Sequence, residues 1–448
     1  MKSVAILSVF AAGGLLFAGC RGIPAPGEKQ ARHDLGAVTK QFHSGNRAVA
    51  LPELTPASSL SNFVAFALLN SPTVETAFHD WSDSVENITV ARSLPDSQIT
   101  FQSDIMDIVK TVMPGFMQEF PGPGKLKARA RVAAAESRGK YFAFESAVLQ
   151  AAFNLKRAYF QLGLLQEQLR LKHETLSLLE NQERVLRAQN ATGAASLPEL
   201  LRVQSEQDRV RNEIANLEDS HRPLLENFKA ALGLTPEQSA LPVPAHFETG
   251  GDNPDADELL RSAFARNPQL KAMESDVRSA EAGISVAYKS RVPDFSLGLM
   301  ADVKASPTMF RPLAGMTLPI WRDKTAAEIA QAKANELAAK SRLKSAQIDL
   351  AVNFAKKSFA YRETSRNLAL IEDKLLPQAR QSVETIRAGY RTGTVDFSAM
   401  TGAERMLLDL QLEAAEVRTA REIALADLSL MVAGVPPVNA PFLTNTQP

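Results

Sequence analysis

The chain has 448 residues, with 50 Lys and Arg against 50 Asp and Glu. Apolar residues make up 45% and charged residues 22%, which marks the bulk of the chain as ordered. A balanced charge excludes the basic footprint of a nucleic-acid binder.

The first element is a targeting signal. Lys2 gives a charged start, and Val4 to Leu16 is an apolar run too short to span a membrane. Ala18-Gly19 before Cys20 resembles a bacterial lipobox, with Phe17 where that pattern prefers Leu. Cys20 is the only cysteine, so no intrachain disulfide can form. Residues 1–19 read as a lipoprotein signal peptide and Cys20 as the acylated first residue of the mature chain. An ordinary signal cleaved nearby is the alternative. Arg21 in place of Asp favours outer-membrane sorting, by analogy with enteric rules. No later stretch of 18 apolar residues follows, so any membrane crossing needs a closed β-barrel.

Residues 20–57 carry Pro24, Pro26, Pro52 and Pro56 and read as an extended lead-in. Then the chain says everything twice, at a period near 200. The first copy, 58–234, has Ala67 to Pro72 (Ala-Leu-Leu-Asn-Ser-Pro). The second, 258–434, has Ala263 to Pro268 (Ala-Phe-Ala-Arg-Asn-Pro). A helix is expected over about 60–93 and again over about 259–291. Pro95-Asp96 and Pro293-Asp294 then lead into alternating segments. These predict strands at 97–106, 111–120, 294–303 and 309–319, with 106–113 poorly alternating. A linker, 235–257, joins the copies, and 435–448 reads as a disordered tail.

A very long helix follows each strand pair. Residues 125–191 contain no proline, and Leu155, Leu162, Leu169 and Leu176 recur every seven. Leu165, Leu179 and Leu186 fill the complementary positions of a coiled-coil seam. Leu376, Val383 and Tyr390, with Ala379 and Ile386, repeat it. Return helices are expected at 197–232 and 397–433. The long helix spans roughly 100 Å and its return arm about half of that. The helix before the strands has nearly the missing length. Four strands cannot close a barrel, since small barrels need about eight, so several chains must contribute.

This order resembles the TolC family of outer-membrane efflux proteins over about 59–434. The resemblance is carried by the paired Asn-Pro helices, the Pro-Asp strand entries and Leu318-Pro319-Ile320. Leu375 to Arg380, Tyr390-Arg-Thr-Gly393 and Ala403-Glu-Arg405 also fit. It implies a mainly α fold with a small β part: duplicated coiled-coil hairpins plus four strands per chain. A homotrimer would close a 12-stranded β-barrel on an α-helical barrel. The implied function is the outer-membrane exit duct of a tripartite efflux or secretion system, exporting small solutes such as drugs or metals. Its implied partners are a periplasmic adaptor (a membrane fusion protein) and an inner-membrane pump of RND or ABC type. An exit duct for type I protein secretion is the alternative within the family. The implied location is the outer membrane, lipid-anchored and extending into the periplasm.

The resemblance also places adaptor binding and gating at the helix tips. These hold Arg187, Asn190, Thr192 and Gly193, then Tyr390, Arg391, Thr392 and Gly393. Either glycine is equally accounted for as a left-handed helix terminator. Many members carry pore-narrowing aspartates at positions that match Ala399 and Gly402 here. Either the acidic constriction is missing or Asp396 or Glu404 replaces it.

No catalytic residue, cofactor or metal site is expected. The six histidines are not paired at ligand spacing, and no phosphate loop or nucleophile turn is present. A periplasmic coiled-coil scaffold without a pore would share the helices but not four alternating strands.

Overall fold

The computed structural model describes residues 26–44, 47–48, 51–105, 109–193, 195–235, 243–244, 247, 261, 263–302 and 307–432. The expected signal peptide, Cys20, most of the expected linker and the expected tail lie outside these residues. The described chain forms two compact units whose borders cut across both copies. One comprises the chain up to Gly36 with 81–139 and 274–340; the other holds 37–80, 140–273 and 341–448.

The lead-in is partly helical rather than extended throughout. Helix α1 covers Pro26–Phe42. Pro26 sits at the first helical position, where its missing N–H costs nothing. Val38 and Phe42 bury an apolar stripe, Phe42 against Phe78 and Phe144. Glu28 is 1% exposed and accepts Arg92 Nε at 2.6 Å and Thr89 Oγ1 at 2.8 Å. Burial pushes its carboxyl pKa up, but the bonds from Arg92, Thr89 and Arg32 outweigh that and hold it below the usual range. Arg32 forks onto both Glu86 oxygens at 2.8 Å. A two-residue hairpin, His43–Ser44 with Arg47–Ala48, follows.

The helix expected at 60–93 is two helices, α2 (Leu60–Asn70) and α3 (Pro72–Arg92). Pro72 disfavours helical backbone at Ser71, so the break falls there. Asn70 uses it: its Nδ2 donates to Leu232 O at 2.9 Å and to Gly233 O at 3.2 Å. The second copy repeats the device, with Asn267 Nδ2 donating to Met431 O at 3.0 Å. Each Asn thus satisfies a carbonyl orphaned at the end of a return helix.

Gly233 sits at φ +76°, and a Cβ there would lie 2.2 Å from Asn70 O. Gly193 has a similar φ of +71° and nothing within 4 Å. Gly193→Ala should therefore cost only the left-handed strain, roughly 1–3 kcal/mol. Gly233→Ala should cost clearly more, because the Asn70 joint must also open. Denaturant unfolding of both variants checks this, and equal losses would contradict it.

Helix α4 is Lys125–Ala191 and α5 is Leu197–Ala231. The seam packs as expected at Leu155, Leu162, Leu165, Leu179 and Leu186, while Leu169 and Leu176 are only partly buried. Val203, Val210 and Ile214 of α5 close it. Each such side chain contributes about 1.5–3 kcal/mol of burial, which holds a helix far longer than its propensity alone would.

In the second copy come α6 (Pro268–Lys289), α7 (Arg322–Leu370), α8 (Leu376–Arg391) and α9 (Phe397–Val432). The expected continuous helix is interrupted by a π turn, Ile371–Leu375. Pro377 has no N–H to give the carbonyl four residues back, and its ring crowds that turn. The backbone widens instead, and Leu376 N bonds Ile371 O. Leu376, Ala379 and Val383 are buried as expected, whereas Tyr390 is exposed.

The strands are β1 (Gln98–Ile105), β2 (Val109–Phe120), β3 (Phe295–Asp302) and β4 (Met309–Met316). They form one antiparallel sheet in the order β1-β2-β3-β4, so β2 against β3 joins the two copies. β4 ends three residues before the expected 319. Asp294 and Thr317 exchange bonds of 2.8 and 2.9 Å there and turn the chain out of the ladder.

Candidate functional site

The sheet is the first functional feature. Side chains alternate along a strand, so the register sorts them onto two faces. One face joins Ile99 with Phe116, Phe101 with Pro114, Phe116 with Leu299, and Leu299 with Pro312. Phe120, Phe295 and Met316 continue it. The opposite face is mixed, carrying Gln98, Thr100, Gln102, Glu119, Ser296, Asp302 and Arg311 together with Met113, Met117, Met300 and Leu313 on the same register. Arg311 pairs with Asp302 at 3.6 Å. The apolar face is open, with Ile99 and Phe101 each 73% exposed. Among the described residues, the outer edges of β1 and β4 pair with no further strand.

The hairpin tips are the second feature. At the first tip, Gly193 N donates to Asn190 O at 3.0 Å. Asn190 Nδ2 donates to Ala195 O at 2.9 Å, and Thr192 Oγ1 to Gln189 O at 2.9 Å. Gly193 and Gly393 both adopt left-handed backbone, which terminates the helices. At the second tip, Thr392 and Thr394 both bond Gly389 O at 3.0 Å. Tyr390 packs against Phe397 with the rings tilted and 5.7 Å between centroids, and it stays 40% exposed. Arg391 is exposed and makes no ion pair among the described residues.

The remaining expected residues divide clearly. Arg187 reaches Glu183 at 2.6 Å and faces solvent. Asp396 caps α9, accepting Ala399 N at 2.7 Å. Glu404 accepts Arg387 at 2.5 Å. Ala399 and Gly402 are exposed and carry no charge. Both acidic candidates are thus engaged in local bonds.

Two features have no counterpart in the sequence reading. Glu183 accepts from Gln204 at 2.8 Å and from Gln207 at 2.9 Å, besides Arg187. Those bonds, Gln204 first, hold its carboxyl below the usual range. Arg405 donates to Glu206 at 2.5 Å and so ties α9 to α5. This pair lies in a groove lined by Thr175, Gln182, Val203, Thr401 and Gly402. The Ala403-Glu-Arg405 pattern was the available signal, but its partner lies 199 residues away.

Comparison with known proteins sets these features in context. Residues 67–234 and 259–434 match the outer membrane efflux protein family. The chain is 25% identical over 321 residues to the probable outer membrane lipoprotein SilC of Salmonella typhimurium, covering 67% of each. Its fold is similar to that of the outer membrane protein VceC of Vibrio cholerae, with a TM-score of 0.70 and 16% identity over 84% of this chain and 96% of that one. It is also similar to the open state of the MtrE outer membrane channel of Neisseria gonorrhoeae. There the TM-score is 0.71, with 15% identity over 87% of this chain and 94% of that one. One matched segment falls within each copy of the duplication, and the chain belongs to the outer membrane efflux protein family: it is an outer-membrane efflux channel and not an enzyme.

Proposed function

We propose that this chain is a lipid-anchored exit duct that works as a homotrimer, passing small solutes outward from an inner-membrane pump through a periplasmic adaptor. The carrying observation is the four-stranded sheet with one apolar face and two open edges. Four strands cannot enclose a lumen, and open edges are not stable in lipid. Further copies of the same chain supply matching edges. Helix α7 supports this with a second apolar stripe, Ile348, Val352 and Phe359, exposed beside its packed one. The pump is of RND or ABC type, and acylation of Cys20 holds the mature chain to the membrane.

Adaptor contact and gating belong to the two tips. Arg187 and Arg391 offer exposed cations, and Asn190, Thr192 and Thr392 shape the turns that present them. The closed end has no free acidic ring, because Ala399 and Gly402 are neutral while Asp396 and Glu404 are engaged. Single-channel recording tests this. Divalent cations added on the periplasmic side should block weakly, and strong block would overturn the neutral constriction.

A further inference from the structure

We infer that the junctions between helices and strands form a basic collar that binds the anionic headgroups of phospholipids in the inner leaflet of the outer membrane. This rests on the reading of the sheet as membrane-embedded. Phe120 pairs with Phe295, and Phe295 with Met316, so those strand ends lie at one end of the sheet. The β1 end is there too, because Gln98 pairs with Met117. All four junctions with the helices therefore share that end.

Charge is concentrated there in a chain that is neutral as a whole. Helix α4 opens Lys125-Leu-Lys127-Ala-Arg129-Ala-Arg131 with no acidic residue in its first turn. Helix α7 opens Arg322-Asp-Lys324. A helix N-terminus carries partial positive charge and favours Asp or Glu, so the α4 pattern runs against its own dipole. Local violations of this kind point to function. Lys125 is neutralised by Asp294 at 2.8 Å. Lys127, Arg131 and Arg322 are exposed and make no ion pair among the described residues, while the exposed Arg129 also feels the charge of Asp294. Lys289 and Arg291 add charge where α6 passes into β3.

The surroundings select the occupant. Just before Arg322, Leu318, Ile320 and Trp321 are exposed, Trp321 at 72%. Trp is enriched at the membrane–water interface. Along the chain, an apolar sheet face gives way to an aromatic step and then to unpaired cations. A leaflet presents the same sequence: hydrocarbon, interface, anionic headgroup. A protein partner would have to match all three layers while lying against a lipid-facing surface.

The test uses the full-length chain and phosphatidylcholine vesicles with or without phosphatidylglycerol. The collar predicts at least about tenfold preference for the anionic vesicles at low salt, because each cation near an anionic surface adds to the attraction. The K127Q/R129Q/R131Q/R322Q variant, changed only at exposed positions, should lose that preference, as should the parent chain in high salt. Equal insertion into both vesicles, or a preference that survives in the variant, overturns the proposal. So does loss of preference in inorganic phosphate beyond that in chloride at matched ionic strength, which would mark a free-anion site. Insertion into pure phosphatidylcholine reports on the membrane sheet by itself, so the two readings fail separately.

Discussion

A Phe101→Arg chain is expected to fail at membrane assembly, while Gln102→Arg, one residue further on, assembles normally. Both positions are exposed in the single chain, so neither substitution disturbs packing within it. They differ only in the face they occupy, Phe101 lying opposite Pro114 and Gln102 opposite Met113. An Arg facing lipid near the bilayer centre costs roughly 2–4 kcal/mol, whereas one facing an aqueous lumen costs little. In a homotrimer the penalty is incurred in every copy. The yield of detergent-resistant oligomer from outer membranes measures the effect. Equal yields for the two variants would contradict the assignment of faces.

Arg405→Glu is expected to open the closed end of the duct. Arg405 and Glu206 meet at 2.5 Å and bridge the two hairpins, with Gln168 to Glu416 at 3.0 Å as a further link between α4 and α9. Both ion-pair partners are partly exposed, so one bridge is worth at most about 1 kcal/mol. Reversing the charge adds repulsion, and the effect repeats in each copy. Some 3 kcal/mol in total shifts an open–closed equilibrium by on the order of a hundredfold. Conductance in planar bilayers should rise accordingly, and the swapped pair R405E/E206R should restore the closed level. Unchanged conductance in the single variant would remove Arg405 from the gate.

Much of this architecture was legible in the sequence because it rests on periodicity. A seven-residue Leu spacing without proline can only be a long helix with one packed stripe, and α4 is that helix. The two copies helped, since each motif was seen twice and accidental matches dropped out. Asn70 and Asn267 were visible as a repeated pattern, although their task of capping a distant return helix was not. What escaped depends on contacts far apart in sequence. Helix α1 is held by Glu28 reaching Arg92, 64 residues away. The π turn shows why a proline after a strong seam does not simply end a helix. At the tips, residue types were legible but engagements were not. Asp396 reads equally well as a pore acid or a helix cap, and only the bond to Ala399 N separates the two.

The most direct test of the shared barrel is a disulfide scan between its open edges. Single cysteines are placed along β4, Met309–Met316, and paired with cysteines along β1, Gln98–Ile105, with Cys20 left in place. Bridges form only where Cα atoms approach within about 7 Å. If β4 of one copy pairs with β1 of the next, some combinations will give covalent dimers and trimers in membranes and nothing larger. Single-cysteine controls will give neither. Failure of every combination to crosslink, or a ladder continuing beyond three chains, would contradict the closed trimeric duct.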